Sequence, residues 1–211
     1  MEKNSTTYND VLLFVLLSLF FAAGCEEAPA IVQVCSDYSV TNGVCGTGFF
    51  VDTKTLVTTK HVVDDGDGTL TVVVPYGENA SPYKMEVYGE ILVAYFSEEV
   101  GPSEQIKPIC NDVVLENDVD IIGVLDAYDG PEAYSGEVYS RTQQPFGPDD
   151  LIDNWLLADV SVQFGFSGGP VYDRDRGCFV GVVWGYSPHQ GFTVASDLTL
   201  VKTALTEAGG I

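Results

Sequence analysis

The run Gly165-Phe166-Ser167-Gly168-Gly169-Pro170 sets a serine hydroxyl among glycines. A serine becomes a nucleophile when its hydroxyl is exposed, a base takes its proton, and backbone N–H groups face the oxyanion that develops. Glycines allow the tight turn that such a loop needs. The sequence has two histidines, His61 and His189. His61 ends the run Leu56-Val57-Thr58-Thr59-Lys60, a β-branched stretch that would present an imidazole at a strand end. An imidazole titrates close enough to neutrality to serve as general base. Serine and histidine together point to acyl transfer. A carboxylate to orient the imidazole would complete the set, and Glu90 and Asp120 are the candidates.

GxSGGP resembles the nucleophile motif of the trypsin-like serine proteases, and Leu56–Val63 resembles the family's histidine segment. The closest likeness is to the bacterial branch of HtrA-type proteases and glutamyl endopeptidases. Gly46-Thr47-Gly48-Phe49-Phe50-Val51 is similar to the family's GSGF-type strand. The order, histidine before serine, is also the family's. The resemblance implies two six-stranded antiparallel β-barrels with a short C-terminal helix, an active site between them, and polypeptide substrates cut through an acyl-enzyme. It covers about residues 30–206, leaving no room for an appended PDZ domain.

Within that resemblance Ser167 is the nucleophile and His61 the base, with the N–H groups of Gly165 and Ser167 as oxyanion hole. Asp120, in Asn117-Asp118-Val119-Asp120-Ile121-Ile122, looks like the family's acid but precedes Ser167 by only 47 residues. Its surroundings are more similar to the opening strands of a second barrel. Glu90, in Gly89-Glu90-Ile91-Leu92-Val93-Ala94, stands 29 residues after His61 and 77 before Ser167, the family's spacing. Glu90 is therefore the favoured acid, with Asp120 the alternative. The specificity positions fall on Ser161, Val183, Gly185 and Gly191. Ser161 carries no charge to select Arg or Lys, and Val183 replaces the histidine of glutamyl endopeptidases. A small or apolar residue beside the scissile bond is expected. Phe166 stands where zymogen activation would need an aspartate, so that route is unsupported.

Short β-branched and aromatic runs, broken by Gly, Pro, Asn or Asp, must position these groups. Six lie between residues 30 and 97 (barrel 1), and six more between about 113 and 195 (barrel 2), joined by a connection over 98–112. Only residues 196–208 have helical spacing, with Ser196 as the expected cap.

Residues 11–24 are apolar or small, too short for a membrane span, which needs about 20 residues. Such a run suits a secretory signal over 1–24. Ala22-Ala23-Gly24-Cys25 resembles a lipoprotein signal, which implies lipidation at Cys25, a tether over 25–29 and a cell-envelope location; plain secretion and an uncleaved N-terminal anchor are the alternatives. Cys35, Cys45, Cys110 and Cys178 then remain for two disulfides in an oxidising compartment, and Cys35 and Cys45 flank a turn across which they could pair. No metal or other cofactor is expected: the cysteines lack zinc spacing, and Tyr76 stands where a calcium loop beginning in Asp64-Asp65-Gly66-Asp67-Gly68 needs its glutamate. A net charge of −22 repels phosphate backbones and excludes nucleic-acid binding. The competing class is a non-catalytic surface protein of the same fold that grips peptides.

Overall fold

The structure is a computed structural model that describes residues 30–36, 44–66, 68–74, 78–102, 107–142, 155–187 and 191–207. Cys25, His189 and the proposed signal and tether lie outside the described residues. Among the described residues twelve strands follow one another: β1 (Ile31–Ser36), β2 (Val44–Asp52), β3 (Thr55–Thr59), β4 (Thr71–Val73), β5 (Lys84–Tyr88), β6 (Ile91–Tyr95), β7 (Asp118–Gly123), β8 (Glu132–Thr142), β9 (Trp155–Ala158), β10 (Pro170–Asp173), β11 (Cys178–Ser187) and β12 (Phe192–Asp197). A helical turn α1 (His61–Asp64) follows β3, and the described chain ends in a 3-10 turn (Leu198–Val201) and helix α2 (Lys202–Glu207).

The first six strands form an antiparallel sheet in the order β4-β1-β2-β3-β6-β5, and the second six close into a barrel, β10-β11-β12-β9-β8-β7. The all-β, double-barrel architecture that the resemblance implies is what the chain adopts, with the first sheet ending in edge strands β4 and β5 and the second closed. The first sheet curls around Val34, Phe50, Leu56, Val62 and Leu92, and the second around Ile121, Leu156, Phe166, Val171 and Val183. Successive residues of a strand face opposite ways, and Phe49 and Phe50 exploit this. Phe50 enters the first core, whereas Phe49 meets Phe179 of β11, ring centroids 4.8 Å apart. Val57, Val93, Val182, Leu198 and Leu205 surround that pair, so the terminal helical segment seals the seam between barrels.

The helix cap differs from expectation. Ser196 remains in β12, and Asp197 caps the turn by accepting a hydrogen bond from Thr199 N–H at 2.9 Å. The strand persists one residue further because Ser196 still pairs with both Val182 and Trp155. Among the described residues two disulfides form. Cys35–Cys45 bridges directly opposed residues of β1 and β2, and Cys110–Cys178 ties the inter-barrel connection to the start of β11.

Candidate active site

Residues from both barrels line one cleft of about 860 Å³: His61 and Asp65 from the first, Leu125, Val162, Gln163, Phe164, Ser167, Trp184, Gly185 and Tyr186 from the second. His61 and Ser167 thus face the same space, although 106 positions apart in the sequence.

The nucleophile loop is held from barrel 1 by Thr47. Its N–H donates to Ser167 O at 2.7 Å, and its hydroxyl donates to Gly165 O at 2.7 Å while accepting from Val124 N–H at 2.8 Å. Thr58 in turn donates to Thr47 O. This clamp brings the backbones so close that side chains are excluded. A Cβ on Gly168, whose φ is +86°, would lie 2.1 Å from both Thr47 O and Thr58 Oγ1; one on Gly169 would lie 2.0 Å from Ile122 O. Sterics, together with backbone conformation, therefore account for the glycines after Ser167. Gly165 has φ +98°. Among the described residues the N–H groups of Gly165 and Ser167 donate to no backbone carbonyl, which leaves both for a ligand oxygen. The Ser167 hydroxyl donates to Trp184 O at 3.2 Å.

His61 opens α1, and its ring meets the Trp184 ring edge-on at 5.9 Å. Burial holds the imidazole below its ordinary pKa, while the negative charges of Asp65 and then Asp64 pull partly upward. Asp64 is itself ion-paired with Lys60 at 3.2 Å. The Thr59 hydroxyl lies within hydrogen-bond distance of Nδ1, at 3.3 Å.

Glu90 sits with Gly89 (φ +63°) in the two-residue turn of the β5–β6 hairpin, where glycine supplies the positive φ. Its main-chain carbonyl accepts from Lys60 N–H at 2.8 Å and from the Thr59 hydroxyl at 3.1 Å. The hairpin thus brings Glu90 beside the histidine segment. Asp120 lies elsewhere. On β7 it accepts from Ser135 at 2.7 Å and pairs with Arg174 at 3.6 Å, away from the cleft.

The four specificity positions divide. Gly185 lines the cleft, whereas Ser161 is exposed, is not among the lining residues, and donates to Tyr186 Oη at 3.0 Å. Val183 is wholly buried in the second core, because its β11 position faces inward, and Gly191 lies in a turn with open space around it. The aromatic wall of Phe164, Trp184 and Tyr186 was not legible as such. Trp184 and Tyr186 do flank the flagged Gly185 in alternation, a pattern that puts both on one strand face. Thr47 and Thr59 were also missed, although both occur within the quoted motifs.

The trypsin-like peptidase domain family matches residues 46–182, spanning the Thr47 clamp, His61 and Ser167. The chain belongs to that family, whose class of enzyme is the serine endopeptidase. Among solved structures, the HtrA-type protease AlgW with a tripeptide matches with a TM-score of 0.64 at 17% identity, over 88% of this chain and 62% of that one. The inactive form of the Rv3671c protease, from M. tuberculosis H37Rv, matches at 0.64 and 19%, over 86% and 89%. A serine endoprotease from Yersinia pestis matches at 0.61 and 20%, over 98% and 67%. At these identities the likeness is one of fold. Comparison with curated proteins finds no match.

Proposed function

We propose that this chain is an endopeptidase that cuts polypeptides through an acyl-enzyme on Ser167. Ser167 Oγ attacks the scissile carbonyl carbon while His61 Nε2 takes the hydroxyl proton. The N–H groups of Gly165 and Ser167 stabilise the oxyanion. The C–N bond then breaks, His61 returns the proton to the leaving amine, and water hydrolyses the ester by the same proton route. Glu90 is the acid of the set, its carboxylate favouring the imidazolium from the adjacent hairpin turn. The observation that carries this reading is the shared cleft of His61 and Ser167, with the Thr47 clamp holding the loop between Gly165 and Ser167.

Leu125, Val162, Phe164, Trp184 and Tyr186 make the cleft mainly apolar, which supports a preference for apolar side chains beside the scissile bond. The Ala22–Cys25 run, similar to a lipoprotein signal, supports export with a lipid on Cys25. Profiling cleavage of a peptide library by mass spectrometry tests the specificity. Cuts should cluster after apolar residues and vanish in Ser167→Ala; cuts confined to Lys, Arg or Glu would overturn the preference.

A second reading has its own observation. Ser167 Oγ donates to Trp184 O, and a chain kept in that state would bind peptides without cutting them. Catalytic hydrogen bonds are often unmade until substrate arrives, so this geometry is also compatible with an active enzyme.

A further inference from the structure

We infer that the Thr59 hydroxyl sets the working tautomer of His61, as a positioning residue that stands between the imidazole and the main chain of Glu90. The inference rests on the peptidase reading and assigns to a neutral side chain an orienting role.

Thr59 is 1% exposed and is fixed by the β3–β6 ladder, in which it opposes Ile91. A hydroxyl has one proton and spare acceptor capacity. Here the proton goes to Glu90 O at 3.1 Å, so toward His61 Nδ1, 3.3 Å away, only a lone pair remains. A protonated Nδ1 makes a hydrogen bond there; an unprotonated Nδ1 would set lone pair against lone pair. The neutral imidazole is therefore held with its proton on Nδ1 and with Nε2 free as a base. The neighbouring residue Thr58 points the other way, onto Thr47 O. The two consecutive threonines thus set the base and the nucleophile loop from one strand.

The charged groups around the imidazole are Asp65 and Asp64 on its own turn, with Lys60 paired to Asp64, and Glu90 in the β5–β6 turn whose carbonyl accepts from Thr59, while β11 presents Trp184 and the nucleophile loop presents Ser167. Asp64 and Asp65 bias the charge of the ring, but neither bonds it among the described residues.

The test is ¹⁵N NMR of the full chain at neutral pH, with His189→Gln separating the two histidines, alongside steady-state kinetics. His61 should show a pyrrole-type Nδ1 and a pyridine-type Nε2. Thr59→Val, nearly isosteric, should release the ring toward the other tautomer and lower kcat about 10–100-fold with KM little changed. Thr59→Ser should restore both. A parent whose His61 carries its proton on Nε2 would overturn the inference without any variant. Unchanged shifts and kcat in Thr59→Val would do the same, as would a tautomer that responds to Glu90→Gln alone. If the parent cleaves nothing, the peptidase reading fails separately, and the nitrogen shifts still report on Thr59.

Discussion

Charge and burial around His61 set a definite pH dependence. A general base works only when unprotonated, and burial holds this imidazole below its ordinary value of about 6.5. The acid limb of kcat/KM should therefore have its midpoint below about 6.5, with activity level through neutrality. Asp65→Asn removes a charge that favours the imidazolium, so the midpoint should move lower still; a rise would contradict this account. Thr47 gives a second prediction. Thr47→Val leaves Gly165 O and Val124 N–H without their partner, which should cost roughly 1–3 kcal/mol in urea unfolding and slow acylation. Ser167 and His61 were legible because their chemistry is written in their neighbours' types. Thr47 and Thr59 were not, since a hydroxyl's partner depends on which strands lie across from it.

Strand existence was legible almost throughout, because Gly, Pro and Asn/Asp breaks bound each β-branched run. Its limits appear where tertiary pairing extends a strand, as with β12, which absorbs the expected cap Ser196. The charged tip of the β10–β11 hairpin is another case. Asp173 reads as an exposed turn residue, yet it is 1% exposed. Desolvation works to raise its pKa but is outweighed by bonds from Asn117 and Arg176, so the carboxyl stays below its ordinary value. A depressed carboxyl stabilises the fold above its unfolded pKa, about 4, and the contribution is lost as the pH falls through its lower folded value. Asp173→Asn should therefore lower the melting temperature at neutral pH and flatten its fall in acid. Equal loss at all pH values would show that packing, not charge, matters there. Within the nucleophile loop, Gly168→Ala should abolish acylation, since its Cβ cannot coexist with Thr47 O at 2.1 Å.

At the scale of the molecule, the sequence pointed to two barrels but not to how they join. Phe49, Val93, Phe179 and Leu205 form one cluster from four distant segments, and nothing in local periodicity separates them from residues of either barrel core. The disulfides were likewise open in sequence. Cys110 and Cys178 are 68 residues apart, against 10 for Cys35 and Cys45. By loop-closure entropy the longer link is worth roughly 4 kcal/mol and the shorter under about 3. Replacing the Cys110–Cys178 pair by alanines should thus destabilise more than replacing Cys35–Cys45, as read by urea midpoints. The reverse order would mean that native packing near the links, rather than the unfolded chain, dominates. The net charge of −22 adds self-repulsion, which salt should relieve by screening.

The most direct test of the proposed chemistry is intact-mass analysis after incubation with a fluorophosphonate, comparing the parent with Ser167→Ala and His61→Ala. An activated nucleophile predicts one adduct per parent molecule, none on Ser167→Ala and strongly slowed labelling of His61→Ala. A folded, disulfide-bonded parent that takes no adduct would contradict the account and leave a peptide-binding protein on a peptidase fold.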